Sequence, residues 1–221
     1  CLSPAIVSGV RRHASVADMI LYSLKNAPNP RRVRIFLAEK KAHVPVREFD
    51  MDTRGHREPA FLARNPLGLL PVLEPDSGEF ITESVAICRY FEEMMPEPPL
   101  FGRSAQERVL VEMWNRRMEH ELLLPVIDVF VHTHEFWVGR RPQVPSYGDL
   151  RRLQVVERMR WLDGELRDRE FIGIDRYNIA DITAQVALLT ARGALKLPIP
   201  EDHKNLSRWW SAVTKRPSAR A

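Results

Sequence analysis

From Met19 onward the spacing of apolar residues changes period several times, and each change predicts a new element. Met19-Ile20-Leu21-Tyr22 is a short continuous apolar run, which predicts a buried strand. The turn-forming stretch Asn26-Ala27-Pro28-Asn29-Pro30 ends it, and a helix follows with Val33, Phe36 and Leu37 on one face. Asn29 is the predicted N-cap, with Pro30 at the first helical position, where a missing N–H does no harm. His43 to Phe49 alternates as a second strand and completes a βαβ opening. A polar loop (Asp52 to Glu58) and a short helix near Pro59 to Arg64 come next. Leu70-Pro71-Val72-Leu73 and Glu79-Phe80-Ile81-Thr82 read as a hairpin across Pro75-Asp76-Ser77-Gly78. A helix from Ser84 to about Met94 closes the unit, and the proline-rich stretch at 96–102 stops it and reads as a linker.

Beyond residue 103 the strand signal vanishes. Spacings such as Val155-Met159-Leu162-Leu166 and Ile182-Val186-Leu189 follow helix faces, so the second half is predicted all-helical. Asn178-Ile179-Ala180-Asp181, flanked by Tyr177 and Ile182, reads as a capping box with a hydrophobic staple, a structural device that satisfies orphan helix N–H groups. Pro125, inside a predicted helix from about Ala105 to His134, is expected to kink it. The expected organisation is an extension at 1–18, a mixed α/β unit at 19–95, a linker at 96–104 and a helical unit at 105–221.

Composition narrows the function classes. With 44% hydrophobic and 28% charged residues among 221, the chain can bury a core and is not a disordered polymer. A net charge of +4 is spread without a basic stripe, which argues against nucleic acid as a partner. Two cysteines, Cys1 and Cys88, make no disulfide framework and no zinc cluster, so a reducing compartment and no metal are expected. No apolar run is long enough to span a bilayer, so no membrane association is expected. Residues 1–18 carry Arg11 and Arg12 but no long apolar stretch, and are expected to be a disordered extension upstream of the fold, with an Arg-bearing, nearly acid-free targeting segment as the alternative and Met19 a sensible natural start.

The order β-α-β-α-β-β-α, a proline-rich linker and a helical domain resembles the glutathione transferase superfamily, and the motifs sharpen the match. Asn65-Pro66-Leu67-Gly68 leading to Leu70-Pro71-Val72-Leu73, then Thr82-Glu83-Ser84-Val85-Ala86-Ile87, is similar to the family's glutathione-binding core. The run Pro28 to Ile35 is closest to the fungal-type class and its bacterial relatives, which lack the usual catalytic Ser, Tyr or Cys. The resemblance spans about Met19 to Pro217. It implies a thioredoxin-like N-terminal domain, α+β with a mixed four-stranded sheet and three helices, joined to an all-α C-terminal domain. It implies a cytoplasmic homodimer that takes reduced glutathione as co-substrate and a hydrophobic electrophile as partner, conjugating the two.

The resemblance also assigns residues. A cis Leu70-Pro71 bond turns the Leu70 backbone outward to pair with the cysteinyl part of glutathione. The strand-to-helix step at Glu83-Ser84 converges N–H groups, a hydroxyl and the helix dipole on a γ-glutamyl carboxylate, with the Glu83 carboxylate left for the amino group. His56 is expected at the glycyl carboxylate.

The position that carries the catalytic serine in serine-type relatives is Ala27 here, Tyr22 and Ser23 read as strand residues, and no cysteine lies near. Bringing a thiol of pKa about 8.5 to 9 down by about two units requires about 2.7 kcal/mol. A helix N-terminus supplies about 0.3 to 1 kcal/mol and a hydrogen bond to the charged sulfur about 1.5 to 3 kcal/mol. Asn29, with a held water, is therefore the expected activator. In the resembling proteins the long helix faces the sulfur across the cleft, which makes Trp114, His120, Glu121, His132, His134 and Trp137 candidates for the electrophile pocket, with His120 first as base or water holder. The small polar residue that some relatives use about two positions after the helix proline is replaced by Ile127. Two other readings stay open: a catalytically silent scaffold or binding protein, favoured by Ala27, and a specialised glutathione-dependent isomerase, peroxidase or dehalogenase.

Overall fold

The computed structural model describes residues 16–221. The expected extension therefore falls outside the described residues up to position 15. Its last three residues form a 3-10 turn, Val16–Asp18, and Val16 packs against the core. The first unit runs β1 (Ile20–Leu24), α1 (Pro28–Glu39), β2 (Val46–Phe49), α2 (Pro59–Leu62), β3 (Val72–Glu74) and α3 (Ser84–Met94). The sheet order is β2-β1-β3, with β2 parallel to β1 and β3 antiparallel to it. The fourth expected strand is reduced to one bridge, in which Leu73 and Ile81 exchange both backbone hydrogen bonds at 2.9 Å. Two residues after that bridge Glu83 turns to φ 63° and α3 begins, so the run ends before a ladder can extend.

α1 starts earlier than its sequence suggests. Its N-cap is Ala27, with extended backbone and no capping side chain, and Asn29 lies inside the first turn, so Asn29 is not the cap. Pro28 already supplies a pre-set φ at the first helical position, so the helix needs no capping side chain to begin there. The face with Val33, Ile35, Phe36 and Leu37 is buried, packed on α3 and on the second unit.

The second unit contains α4 (Ala105–Arg117), α5 (Leu124–Thr133), α6 (Pro145–Glu165), α7 (Ile179–Gly193) and α8 (Lys204–Thr214), and no strand among the described residues. α4 and α5 are one continuous rod joined by a π-helical turn, Met118–Leu123. Pro125 is the cause: it has no N–H for the carbonyl four residues back, and its ring crowds that carbonyl, so the preceding turn widens instead of breaking.

α7 is the central pillar. Asn178 accepts from the Ala180 N–H (2.9 Å), and Asp181 accepts from the backbone N–H groups of Asn178 (3.0 Å) and Ile172 (2.9 Å) and from Trp209 Nε1 (2.7 Å). Tyr177 and Ile182, the expected staple pair, are buried beside the box. The middle of the stretch expected as a linker is packed, with residues 99–102 buried and 96–98 and 103–104 exposed. Leu100 and Phe101 join the shared core, Leu100 O accepts from the Ile179 N–H at 3.0 Å, and Lys40 Nζ donates to Met95 O at 2.7 Å. One apolar core thus runs through both units and fixes their relative placement.

Candidate active site

Strand register brings the expected site residues to one end of the sheet. Leu24, the last residue of β1, lies opposite Phe49, the last of β2, so α1 and the loop carrying His56 both leave from that end. Tyr22 lies opposite Val72, which puts Leu70 two residues beyond the last antiparallel pair, beside the start of α1. The Leu73–Ile81 bridge, followed outward, brings Glu83 and Ser84 to the other side of Leu70-Pro71. Asn29, His56, Leu70, Pro71, Glu83 and Ser84 therefore share one rim.

The Leu70-Pro71 bond is cis, and the Leu70 backbone N–H and C=O have no hydrogen-bond partner among the described residues. The preceding Asn65-Pro66-Leu67-Gly68 is a self-contained turn. The Gly68 N–H donates to Asn65 O (2.8 Å), the Asn65 side chain accepts from the Leu67 N–H (3.1 Å) and donates to Leu69 O (2.9 Å), and Gly68 sits at φ 59°. The buried Asn65 thereby sets the path of the chain into Leu70.

At α3 the N-cap Glu83 makes no capping bond, and its φ 63° is a conformation that costs about 1 to 3 kcal/mol in a non-glycine residue. The first intrahelical bond is Ile87 N–H to Glu83 O, so the N–H groups of Ser84, Val85 and Ala86 precede it. The Ser84 hydroxyl is buried beside them and accepts from Arg32 Nη1 at 2.7 Å. These groups leave a helix end with free N–H donors and no internal acceptor among the described residues, the kind of arrangement that suits an anion.

At α1 the first intrahelical bond is Arg31 N–H to Ala27 O (3.1 Å). Pro28 and Pro30 have no N–H, so the only backbone donor left in the first turn is that of Asn29, which is half-buried and has no acceptor among the described residues. Two prolines around one asparagine thus focus the helix end into a single free N–H, beside a side-chain amide. The neighbouring hydroxyls are committed elsewhere. Tyr22 donates to Glu74 inside a cluster with Phe49 and Phe61, and burial followed by that carboxylate pushes its phenol up. Ser23 is buried and accepts from Arg34 Nη1 at 2.7 Å.

His56 is buried, edge-on to the Phe49 ring at 6.5 Å, with Nδ1 unpaired among the described residues. Burial, then Arg57 and Arg54, push its pKa down, which favours a neutral ring with one N–H donor at neutral pH.

His120 is exposed in the π turn, and its Nε2 lies 3.0 Å from Arg116 Nη2. A guanidinium only donates, so this nitrogen accepts and the ring proton is assigned to Nδ1. The base half of the expected role is thus occupied, and the water-holding half remains, through Nδ1–H. The other pocket candidates have structural work. Trp114 is buried and stacked on Trp161 at 5.5 Å, and Glu121 is paired with Arg158 at 2.8 Å in a groove with Arg117 and Glu165, on the opposite side of the turn from Glu119. His132 accepts from the Val144 N–H (3.0 Å) and His134 from the Phe136 N–H (3.1 Å), fixing the loop after α5. Trp137 packs edge-on to Phe130 and Phe136, and that loop reaches the first unit through Arg140 and Asp52 at 2.9 Å. Among the described residues no cluster of three or more His, Cys, Asp or Glu is placed to hold a metal ion.

Sequence reasoning missed Arg32 and Glu119. Arg32 is fully buried, and Nη1, already bonded to Ser84, also meets Glu119 Oε1 at 3.2 Å. The signal was present: Arg32 falls on the same helical stripe as Ile35 and Phe36, both fully buried.

Comparison with known proteins agrees with this geometry. The family model for the glutathione S-transferase N-terminal domain matches residues 17–93, and that for the C-terminal domain matches residues 147–217. Glutathione S-transferase 2 of Saccharomyces cerevisiae is 35% identical over 209 residues, covering 91% of this chain and 88% of that protein. The crystal structure of Gtt2 from the same yeast superposes with a TM-score of 0.84 at 34% identity, covering 91% of this chain and 98% of that one. A glutathione S-transferase domain-containing protein of Marinobacter aquaeolei superposes at 0.85 with 35% identity, over 90% and 98% of the two chains. With both domains matched and a relative of this identity aligned over nearly its whole length, the chain belongs to the glutathione S-transferase family.

Proposed function

We propose that this protein conjugates the thiolate of reduced glutathione to hydrophobic electrophiles. The observation that carries the reading is the pair of uncapped helix N-termini, of α1 and α3, flanking the cis Leu70-Pro71 bond at one sheet end. An extended tripeptide fits that layout. Its γ-glutamyl carboxylate meets the Ser84 hydroxyl and the first-turn N–H groups of α3, and its amino group meets Glu83. Its cysteinyl backbone pairs with Leu70, and its glycyl carboxylate accepts from neutral His56. The sulfur then lies at the start of α1, where the Asn29 N–H and a water held from the His120 side donate to it. The helix end and one or two such hydrogen bonds together match the about 2.7 kcal/mol needed to ionise the thiol at neutral pH.

We assign the protein as a cytoplasmic homodimer. Exposed apolar residues at helical spacing, Val109 and Met113 on α4 and Tyr147, Leu150 and Leu153 on α6, support self-association. No helix among the described residues is long and apolar enough to cross a membrane. The test is turnover: purified protein, reduced glutathione and an activated aryl halide, with product read by absorbance and mass spectrometry. Glutathione-dependent formation of the aryl thioether above the uncatalysed rate is expected. Tight glutathione binding with no turnover on a panel of electrophiles would favour instead the silent binding protein to which Ala27 points.

A further inference from the structure

Five polar side chains form an unbroken chain from the proposed glutathione anchor, Ser84, to His120, crossing from one domain to the other. The Ser84 hydroxyl on α3 accepts from Arg32 Nη1 on α1 at 2.7 Å. The same nitrogen meets Glu119 Oε1 in the π turn at 3.2 Å. The other oxygen, Oε2, meets Arg116 Nη2 on α4 at 3.1 Å, and that Nη2 in turn lies 3.0 Å from His120 Nε2. We propose that Arg32 and Glu119 are positioning residues for glutathione, in which the Arg32–Glu119 ion pair holds the Ser84 hydroxyl aimed at the γ-glutamyl carboxylate and ties its placement to the π turn that carries His120. This rests on the glutathione reading above.

The direction of every bond supports it. A guanidinium has donors and no acceptor, so Arg32 occupies a lone pair of Ser84 and leaves the serine proton free to be given to a carboxylate. Glu119 accepts from Arg32 and is ion-paired with Arg116, and His120 accepts from Arg116, so the donors and acceptors along the chain have one arrangement. Arg32 is also poorly held by anything else. It is fully buried, and its Nε and Nη2 have no partner among the described residues, so Nη1 alone, through Ser84 and Glu119, fixes the guanidinium. Burial pushes its pKa down and Glu119 pushes it back up, which makes that carboxylate the counterion that keeps the buried cation charged. Remove the Glu119 charge and the guanidinium has a reason to swing toward water through its unpaired nitrogens, taking the Ser84 orientation with it. The π turn matters because the widened turn before Pro125 carries Glu119 toward α1 and Glu121 toward α6.

The test uses the full-length protein, with Glu119→Gln, Ser84→Ala and the double variant. Affinity for S-hexylglutathione is measured by calorimetry, since that ligand needs the γ-glutamyl anchor but no thiol ionisation. Glu119 is partly exposed, so the variant is expected to fold, and thermal midpoints check this. Glu119→Gln is expected to weaken binding about five- to tenfold, less than the full loss of a charge-assisted hydrogen bond because the Gln carbonyl still accepts from Arg32. Ser84→Ala is expected to weaken it, and the double variant to be no weaker than Ser84→Ala alone. In turnover, KM for glutathione is expected to rise while KM for the electrophile stays unchanged, a split that a general loosening of the domain junction does not produce. Wild-type affinity in Glu119→Gln, or effects that multiply in the double variant, overturns the proposal. If Glu119→Gln does not fold, Arg32→Lys replaces it, and wild-type affinity there overturns the proposal as well. Failure of the wild-type protein to bind S-hexylglutathione overturns the glutathione reading and this inference together. Binding by wild type with uncoupled variants overturns this inference alone.

Discussion

The free N–H of Asn29 makes a prediction that separates backbone from side chain. Asn29→Ala removes the amide and keeps the N–H, whereas Asn29→Pro removes the only backbone donor in the first turn of α1. Proline is compatible with this position. Asn29 already precedes Pro30 and holds helical geometry there, so a further proline directly after Pro28 repeats a constraint the turn already accepts. One hydrogen bond to a charged sulfur contributes about 1.5 to 3 kcal/mol, and one pKa unit corresponds to about 1.4 kcal/mol. Losing the N–H should therefore raise the pKa of the bound glutathione thiol by about one to two units, leaving about a tenth or less of the thiolate at pH 7. The assay is the ultraviolet absorbance of the thiolate in the binary complex, titrated from pH 5 to 9 with saturating glutathione. The predicted order is wild type lowest, Asn29→Ala slightly raised and Asn29→Pro raised most. A folded Asn29→Pro variant with the wild-type thiol pKa would refute the assignment of the α1 N–H as activator.

Other positions give further tests. Asp181 is pushed up to about 7 by burial, against the bonds from Ile172, Trp209 and Asn178. A folded pKa above the unfolded value of about 3.9 contributes stability that is present below pH 4 and lost as pH rises through about 7. Wild-type thermal midpoints should therefore fall from pH 5 to 7.5 relative to those of Asp181→Asn, and parallel pH curves would contradict this. Gly173 sits at φ 83°, and an added Cβ would meet Trp114 Cδ1 at 2.5 Å. Gly173→Ala should cost about 1 to 3 kcal/mol in denaturant unfolding, and an unchanged midpoint would show that Trp114 moves freely. Because burial and then Arg57 and Arg54 push the His56 pKa down, favouring the neutral ring, glutathione KM should not worsen as pH rises from 6.5 to 7.5, while His56→Ala should raise it at both; a KM that climbs with pH would mean a charged imidazole binds the glycyl carboxylate.

The parts of the fold legible in the sequence were those governed by local periodicity and local chemistry. The apolar runs of β1 and β3, the buried stripe of α1 and the capping box at Asn178 and Asp181 all depend on neighbours within a few residues. The start of α1 was displaced because two prolines each suit a first helical position, and the chain used the earlier one with Ala27 as a bare cap. The π turn was not legible, since Pro125 announces a disturbance without saying whether the rod bends or widens. Arg32 lies on the buried stripe of α1, but its ion partner Glu119 is on the other domain, so its pairing with Glu119 shows only once the two domains meet. His132, His134 and Trp114 were pocket candidates through the place of the long helix in resembling proteins, and the structure uses them to fix a loop and a core stack. The residues proposed to bind glutathione could be named in sequence because they lie in short motifs, and the structure brings them to one end of the sheet. The thiol activation proposed above depends on which donors two prolines leave free, and that requires the helix register, which the sequence misplaced.

The most direct test of the central claim is calorimetric titration of the purified protein with reduced glutathione, with Ser84→Ala run in parallel. The account predicts saturable one-site binding by the wild type and its collapse in the variant. Absence of binding in both proteins, or equal binding in both, would contradict the assignment of the α3 N-terminus as the γ-glutamyl anchor.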